Sequence, residues 1–336
     1  MFETEKKIET ERLDSPEEVN PVISNFGKKI SLATRVKEKM IRYFFALNGI
    51  MAVVFIALIF IFLFKEGFRA LDHIGLLDFI YFDRTELDGT SSRVYEWYPT
   101  SSEERYSLIP LILGSLLTAL PATIISTIFG VAVGIYLAEI ANPKAREFLK
   151  PAIELFAGIP TVVLGFLMLI VGATLIDDFL DPTNRLNAFL AALGLSFVII
   201  PIIASLTEDS LHSIPDELRM ASYGLGATKW QTISKVILPA AFSGVSASII
   251  LGFGRAIGET MIVLMAAGNA ANITTDLFMS VRTMTATIAA EMGEVSQGSD
   301  HYFALFFIGI VLFTITFILN LIAESVINKM RKKNTF

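Results

Sequence analysis

The sequence predicts an all-α, polytopic membrane protein with about six transmembrane helices, as its composition and its distribution of charge indicate. Hydrophobic residues make up 53% of the 336 residues and charged residues only 18%, and the mean hydropathy is +0.61. That is more apolar surface than a water-soluble protein of this length buries. Several windows of roughly 20 residues carry almost no charge, which is the length that a helix needs to cross about 30 Å of hydrocarbon.

The apolar windows organise the chain into an arm, a first span with a polar segment behind it, and a core. The predicted spans are residues 43–64, 108–138, 152–176, 187–206, 240–267 and 302–327. The predicted parts are an arm at 1–42, the first span with an acidic external segment at 43–107, a core at 108–330 with a polar loop at 207–239, and a basic tail at 331–336. Within the arm, residues 28–42 have the spacing of a basic amphipathic helix on a membrane surface.

Lys and Arg are distributed unequally between the two sides of these spans. The flanks that share a side with both termini hold 19 of them, the other flanks hold seven, and Arg255 lies inside span five. Cytoplasmic flanks of membrane proteins collect basic residues. We therefore expect both termini and the loop at 207–239 to be cytoplasmic.

Composition also limits the chemistry of the chain. The formal net charge is −6 and Cys is absent, so nothing indicates nucleic-acid binding, and disulfide or thiolate chemistry is excluded. His73, His212 and His301 are scattered without ligand spacing, and external acids such as Glu291 and Glu294 are interpreted as a solvated surface. The sequence contains no P-loop and no clustered His or carboxylate set. We expect no catalytic residue, metal or cofactor, and a chain that cannot hydrolyse ATP alone.

The loop at 207–239 contains the start and stop signals of two short helices joined by a glycine turn. Ser213 and Asp216 are predicted to form a capping box that starts the first helix. Gly224 and Gly226 are predicted to end it.

The second helix of this loop has its own signals. Thr228 and Gln231 are predicted to form a second capping box. The apolar face and the stop that follow are Trp230, Ile233, Ile237 and Pro239. The pattern fits a compact helix-turn-helix with a binding role, and it equally fits an ordinary amphipathic connector.

Span five carries an arginine and a glutamate in an otherwise apolar stretch. Arg255 and Glu259 are four residues apart, which predicts one helical face and a distance that allows pairing. An arginine in hydrocarbon costs about 2.5 kcal/mol or more, so it is expected to face a cavity or a partner. Gly252, Gly254 and Gly258 are expected to let another helix approach closely. The pair fits a cation on the path of an oxyanion, and it also fits a buried ion pair that only fixes helix packing.

The run Leu-Arg-Met-Ala-Ser-Tyr-Gly-Leu-Gly-Ala-Thr at 218–228, continued by Val-Ile-Leu-Pro-Ala at 236–240, resembles the EAA loop of ABC importer permeases. It departs from that motif at Met220, which replaces a Glu, and at Ser222, which replaces an Ala. In that family the loop is a coupling helix that docks into a cleft of the ATPase subunit, so the resemblance implies this role for residues 213–239. The implied coupling residues are Glu217, Arg219, Ala221, Gly224, Gly226, Ala227, Leu238 and Pro239.

Longer runs at 106–115, 153–161 and 251–261 narrow the resemblance to the phosphate-specific, PstC-type permeases. The sister PstA-type permeases share much of the run at 251–261, and the large external segment after span one favours the PstC type. The resemblance implies the MetI-like fold of type I ABC importer permeases. It also implies a multi-pass place in the inner membrane of a prokaryote.

The same resemblance implies a function and partners. The chain would form half of a channel for inorganic phosphate, as a heterodimer with a PstA-type sister permease, together with two ATP-binding subunits and an external phosphate-binding protein. The implied substrate path consists of Arg255, Glu259, Gly254, Gly258 and Thr260. Another oxyanion, such as molybdate, sulfate or phosphonate, stays open as the cargo. An ATP-independent secondary transporter is less favoured, because the loop resembles a coupling loop and no inverted repeat is evident.

Overall fold

The computed structural model describes residues 32–85 and 91–333, and this part of the chain is mostly helical. Its helices are α1 (Leu32–His73), α2 (Ile109–Ile135), α3 (Pro143–Ala157), α4 (Thr161–Leu167), α5 (Ala173–Leu180), α6 (Ala188–His212), α7 (Asp216–Gly224), α8 (Lys229–Thr232), α9 (Leu238–Ala240), α10 (Phe242–Gly258), α11 (Met261–Ala266), α12 (Met284–Glu291) and α13 (Asp300–Lys333). Single turns of π-helix, Tyr136–Ile140, Met168–Gly172 and Ile233–Ile237, follow α2, α4 and α8. Contacts divide the chain into two units, Met1–Ile61 and Phe62–Phe336.

In the first unit, the described residues all belong to α1. Apolar side chains such as Phe45 and Val53 are exposed along it. The stretch Val36–His73 is long and apolar enough to cross a membrane. It contains the first predicted span. The predicted surface helix at 28–42 begins outside the described residues, and its described part runs into α1 without a break.

The core of the second unit rests on the close packing of α2 against α6. A Cβ atom at Gly130 would lie 2.8 Å from the Cβ of Ile203, and one at Gly134 would lie 2.7 Å from the Cβ of Thr207. Small residues allow such approach in membranes, where packing rather than the hydrophobic effect holds helices together. The hydroxyls of Thr207 and Ser248, both buried, lie 3.2 Å apart and join α10 to α6.

The number of membrane spans agrees with the sequence prediction. The spans that pass by length and hydropathy among the described residues are Val36–His73, Ile109–Ile140, Thr161–Leu180, Ala188–His212 and Asp300–Ile322, with Lys229–Ala240 and Phe242–Gly258 as a bent pair. This makes five spans, or six if the bent pair is one span. The predicted all-α polytopic fold is confirmed.

Span three begins later than predicted. The sequence predicted a helix over 152–176, whereas α3 ends at Ala157 and α4 begins at Thr161. Gly158 and Pro160 separate the two helices, because proline has no N–H to donate and disfavours helical geometry in the residue before it. As a result α3 is a separate amphipathic helix, and none of its side chains is fully buried.

Span five is bent at one end and interrupted at the other. Its predicted range, 240–267, is divided among the end of α9, α10 and α11, with a bend of 69° before α10. The chain is not helical at Glu259 and Thr260. At membrane depth such a break is tolerated where it is buried in protein or lines a cavity.

Two short hairpins between α1 and α2 were not predicted. They are β1 (Phe82–Thr85) with β2 (Ser91–Val94) and β3 (Trp97–Tyr98) with β4 (Arg105–Tyr106), both antiparallel. The buried Trp97 ring meets the Tyr106 ring edge-on, with centroids 5.8 Å apart. It packs in one apolar cluster with Phe303 of α13. The polar segment after α1 is therefore anchored to the ends of the core helices.

Candidate functional site

The break after α10 brings the ends of three helices to Glu259. This residue follows α10 in an extended conformation, and its side chain is only 4% exposed. One carboxylate oxygen accepts a hydrogen bond from the N–H of Met261, at the start of α11, at 3.2 Å. The backbone carbonyl of Glu259 accepts one from the hydroxyl of Thr285 in α12, at 2.7 Å. Glu259 is thus held on both sides.

Arg255 lies in the last turn of α10 and forms an ion pair with Glu259, Nη2 to Oε2 at 3.2 Å. The prediction that they share a helical face is wrong, because Glu259 lies beyond the helix end, but the two side chains still meet. They are unequally covered, since the Arg255 side chain is 46% exposed. The fixed, buried carboxylate of Glu259 therefore pairs with the guanidinium of Arg255, which stays accessible at the surface of the chain.

The glycines of α10 do not share one role. Gly252 does face α6, where a Cβ would lie 2.9 Å from Cγ2 of Ile199. A Cβ at Gly254 would come no closer than 3.9 Å to Asn320, and one at Gly258 would meet nothing within 4 Å. Within this chain, the expected close approach is found at Gly252 and not at Gly254 or Gly258.

One face of α10 is open. Leu251, Arg255 and Gly258 are exposed at helical spacing, while Gly252 and Ala256 bury the opposite face. Arg255 and Gly258, both predicted on the substrate path, lie on the exposed face. Thr260, also predicted there, follows directly and is half-buried.

The loop between α6 and α10 folds as two helices joined by a glycine turn, as predicted. α7 ends at Gly224, and Gly226 has a φ of +82°, a left-handed conformation that favours glycine. The second capping box is confirmed by hydrogen bonds in both directions between Thr228 and Gln231, at 2.9 and 3.3 Å. The first is wrong, because the Ser213 hydroxyl donates to a carbonyl of α6 and α7 begins without a side-chain cap.

We refer to residues 213–239 as the coupling knob, after the role that the resemblance implies for them. Its two helices are joined by the buried hydroxyls of Ser222 and Thr232, 2.8 Å apart. Its outer surface carries exposed apolar side chains, beside charged ones such as Glu217 and Lys229. The exposed apolar side chains are Leu218, Met220, Tyr223, Leu225 and Trp230. Leu225, at the turn, is 91% exposed. An exposed apolar patch of this kind marks an interaction site.

The predicted coupling residues do not all face outward. Glu217, Ala221, Gly224, Gly226 and Pro239 are exposed, Ala227 and Leu238 are partly buried, and Arg219 is turned inward. Trp230 was predicted on one face with Ile233 and Ile237, but only the two isoleucines are buried. The outer surface of the knob therefore includes Trp230, which was expected to be buried, and lacks Arg219, which was expected to be a contact.

Two buried acids near the knob form ion pairs that the sequence did not predict. Glu139, in the π turn after α2, pairs with Arg219 at 2.6 Å. Glu208 of α6 is 0% exposed and pairs with Arg146 and Lys150 of α3. Both acids lie at the end of an apolar run, which marks them as candidates for pairing but does not identify partners that are 58 and 80 residues away in sequence.

A third cluster lies at the end of the bundle opposite the coupling knob. Glu291 of α12 accepts from Trp97 Nε1 at 3.0 Å, pairs with Arg282 Nη1 at 2.6 Å and contacts His301 Nε2 at 2.8 Å. The interpretation of Glu291 as solvated surface is therefore wrong, whereas Glu294 is exposed. No group of three or more His, Cys, Asp or Glu side chains suited to a metal ion occurs among the described residues.

The apolar spans, the interrupted helix with its exposed arginine, and the compact knob between spans define a multi-pass membrane transport protein. Residues 130–332 match the family model described as "Binding-protein-dependent transport system inner membrane component". The chain belongs to this family of ABC importer permeases, whose members are transport components.

Curated relatives extend over most of the chain. The probable ABC transporter permease protein YqgH of Bacillus subtilis is 34% identical over 222 residues, which are 66% of this chain and 72% of the relative. The phosphate transport system permease protein PstC of Pasteurella multocida is 32% identical, over 71% of this chain and 79% of the relative. PstC of Mesorhizobium japonicum is 29% identical, over 68% and 75%. The resemblance to PstC-type permeases is confirmed.

Solved structures agree on the fold. A chain of the MetNI methionine ABC transporter, solved in an inward-facing conformation, aligns with a TM-score of 0.54 at 19% identity, over 66% of this chain and 95% of that one. A chain of a bacterial alginate ABC transporter, solved with a periplasmic protein that holds an alginate pentasaccharide, aligns with a TM-score of 0.58 at 15% identity, over 87% and 95%. The MetI-like fold expected from the sequence is confirmed.

Proposed function

We propose that this chain is the PstC-type permease subunit of an ATP-driven importer for inorganic phosphate. It forms half of the translocation channel, and a PstA-type sister permease forms the other half. The complex contains two ATP-binding subunits that hydrolyse ATP, one of which docks on the coupling knob, and an external phosphate-binding protein delivers the cargo. Both termini lie in the cytoplasm.

The observation that carries the phosphate assignment is the exposed Arg255 held by the buried Glu259. An oxyanion that crosses a region of low dielectric needs a compensating cation. Arginine suits phosphate because its planar fork bonds two oxygens at once. The names of the PstC relatives support the same cargo.

The open face of α10 supports the heterodimeric channel. Arg255 and Gly258 are on this face, and in a monomer an arginine there would meet lipid at a cost of about 2.5 kcal/mol or more. A second permease packed across this face would enclose Arg255 in a shared pathway. The pathway would then be lined by both subunits.

Uptake by the reconstituted complex tests this proposal. We expect labelled phosphate to enter proteoliposomes that hold both permeases and the ATPase, only when ATP and the loaded binding protein are present. Excess molybdate, sulfate or phosphonate should leave uptake unchanged. ATP-dependent uptake of one of these anions in labelled form, with no phosphate uptake, would reassign the cargo, and phosphate uptake without ATP would favour a secondary transporter.

Substitutions at Arg255 test its role. Arg255→Gln should reduce phosphate uptake at least about a hundredfold in an assembled complex, since it removes the charge from the path. Arg255→Lys should also impair uptake, because a point charge replaces the fork. Arg185→Gln is a matched control, since Arg185 is an exposed arginine that bonds only the Thr174 hydroxyl among the described residues.

A packing role would give a different result. If Arg255→Gln prevented assembly, and the neutral double variant of Arg255 and Glu259 restored both assembly and uptake, the pair would only hold helices together. The assignment of Arg255 to the phosphate path would then be wrong.

A further inference from the structure

Arg219 is buried on the inner side of the coupling knob, although the sequence placed it among the ATPase contacts. Its side chain is 14% exposed. The side chains that do face outward from α7 and the turn, Met220, Tyr223 and Leu225, are all exposed. Arg219 is therefore poorly placed to touch a docked subunit.

The guanidinium of Arg219 bonds three separate elements. Nη2 lies 2.6 Å from Oε1 of Glu139, in the π turn that ends α2. Nη2 also donates to the carbonyl of Leu211 in α6 at 2.9 Å, and Nη1 donates to the carbonyl of Ile214, just after α6, at 2.6 Å. One side chain of α7 thus holds the ends of both α2 and α6.

Each of these hydrogen-bond acceptors favours a nearby positive charge. The last carbonyls of a helix lack partners within it and carry its negative dipole end, so a cation there is favoured. The Glu139 side chain is 6% exposed, and a buried carboxylate is stable only when paired. The hydrogen bond that Arg219 donates to Glu139 accordingly raises the pKa of Arg219, although burial opposes the shift.

The two helices held by Arg219 are tightly packed against each other. α2 and α6 are locked at Gly130 and Gly134, where no Cβ could be added without a clash. α6 is joined in turn to α10, the helix of Arg255, through Thr207 and Ser248. A displacement of α7 that is transmitted to α2 and α6 would therefore reach the substrate path.

We propose that the Arg219–Glu139 pair is the joint that carries movement of the docked coupling knob into α2 and α6. Arg219 is then a positioning residue for coupling and not a contact of the ATPase. This inference rests on the proposed function of the knob. The apolar outer surface binds the partner, and the inner ion pair transmits the motion.

The decisive experiment removes each acidic partner of Arg219 in turn. Glu139→Gln removes the buried partner, and Asp216→Asn removes the exposed one, which lies 3.1 Å from Nη1. The two variants differ only in which carboxylate Arg219 loses. Each is assembled with its partner subunits, and three quantities are measured: copurification of the ATPase, ATP hydrolysis, and phosphate carried per ATP.

We expect Glu139→Gln and Arg219→Gln to behave alike. Both should copurify with the ATPase and hydrolyse ATP, while phosphate carried per ATP falls about tenfold, because the movement of the knob no longer reaches α2 and α6. Asp216→Asn should keep the wild-type ratio. If Arg219→Gln lost the ATPase while Glu139→Gln kept normal coupling, Arg219 would be an ATPase contact and the joint would be refuted.

A milder variant covers the case in which the neutral variants fail to assemble. Arg219→Lys keeps the charge beside Glu139 but loses the fork that also reaches the carbonyls of Leu211 and Ile214. Its ratio of phosphate to ATP should fall, and a wild-type ratio would refute the joint. Gly226→Trp distinguishes a failure of the joint from a failure of docking by the knob. If Gly226→Trp disrupts coupling while Glu139→Gln does not, only the proposal of the joint is refuted. If Gly226→Trp leaves uptake normal, the proposal that the knob docks on the ATPase is refuted.

Discussion

The indole Nε1 of Trp97 donates a hydrogen bond to Oε2 of Glu291 at 3.0 Å, across 194 residues of sequence. The bond fastens the second hairpin to α12. Arg282 and His301 complete the surroundings of the Glu291 carboxylate. Burial alone would raise the pKa of Glu291, but the hydrogen bonds from His301 and Trp97 and the charge of Arg282 outweigh burial and lower it.

This cluster predicts a pH-dependent contribution to stability. Because the folded-state pKa of Glu291 lies below its ordinary value of 4.5, its stabilisation is complete above about pH 4.5 and is lost as the pH falls through the lowered pKa. Glu291→Gln should reduce stability at pH 7 by about 1–3 kcal/mol. The difference from wild type should shrink below about pH 4.5.

Thermal unfolding in detergent at pH 7 and pH 4 checks this prediction. The chain has two Trp, and Trp230 is exposed, so a Trp230→Phe background leaves Trp97 as the fluorescent reporter of this cluster. Glu294→Gln serves as the control, since Glu294 is exposed nearby. Equal stability of Glu291→Gln and wild type at pH 7 would contradict the prediction.

A second prediction concerns α3, which is held to α6 mainly by charge. None of its side chains is fully buried, and Arg146 and Lys150 pair with the buried Glu208. Burial lowers the pKa of Lys150, but hydrogen bonds to Asp209 and Glu208 outweigh burial and raise it. Glu208→Gln should release α3, and amide hydrogen exchange over Pro143–Ala157 should rise about tenfold or more.

Asp209→Asn is the matched control for Glu208→Gln. Asp209 also pairs with Lys150, at 2.7 Å, but its side chain is 57% exposed, and exposed ion pairs contribute about 0–1 kcal/mol. Exchange in α3 should therefore stay close to wild type. Fast exchange in both variants, or in neither, would show that the buried carboxylate is not what holds α3.

The sequence was informative wherever a signal is local. Span positions follow from runs of apolar residues, and the turn at Gly226 and the cap at Thr228 follow from residue types at fixed offsets. These features depend on a few neighbouring residues, so they could be predicted. Ser213 does not cap α7, because its hydroxyl donates a hydrogen bond to a carbonyl of α6. This hydrogen bond is also local, but it competes with the capping-box motif.

Long-range partners could not be predicted. The pairs Arg219–Glu139 and Trp97–Glu291 are separated by 80 and 194 residues, and no periodicity encodes such separations. The break at Glu259 was missed for a related reason. An apolar window registers length and hydropathy but not the backbone conformation, and here Thr285 and Met261 hold the extended residue in place.

A third prediction compares the two glycines of the turn. Gly226 has a φ of +82° and Gly224 lies at the end of α7, and a Cβ at either would meet nothing within 4 Å. Gly226→Ala should destabilise the coupling knob by about 1–2 kcal/mol through backbone strain alone. Gly224→Ala should be neutral or slightly stabilising. Hydrogen exchange across residues 213–239 measures the difference, and equal exchange in the two variants would contradict it.

The last prediction concerns topology, because the distribution of Lys and Arg predicts that both termini lie in the cytoplasm. The chain has no Cys, so single cysteines report cleanly. The exposed positions chosen are Ser102 in the second hairpin, Lys144 in α3, Thr183 after α5 and Lys229 in α8. An impermeant thiol reagent should label Ser102→Cys and Thr183→Cys in intact cells. It should reach Lys144→Cys and Lys229→Cys only after permeabilisation.

Each alternative topology gives its own labelling pattern. The reverse labelling pattern at all four positions would show that the protein has the opposite orientation in the membrane. Labelling of Lys144→Cys and Thr183→Cys from the same side would mean that α4 and α5, joined by the π turn Met168–Gly172, do not cross together. That second outcome is the sharper test, because the stretch Thr161–Leu180 is only 20 residues long, about 30 Å at 1.5 Å per residue. A span of this length crosses the hydrocarbon only if it is nearly upright and its polar end at Asp177 and Asp178 reaches the outer interface.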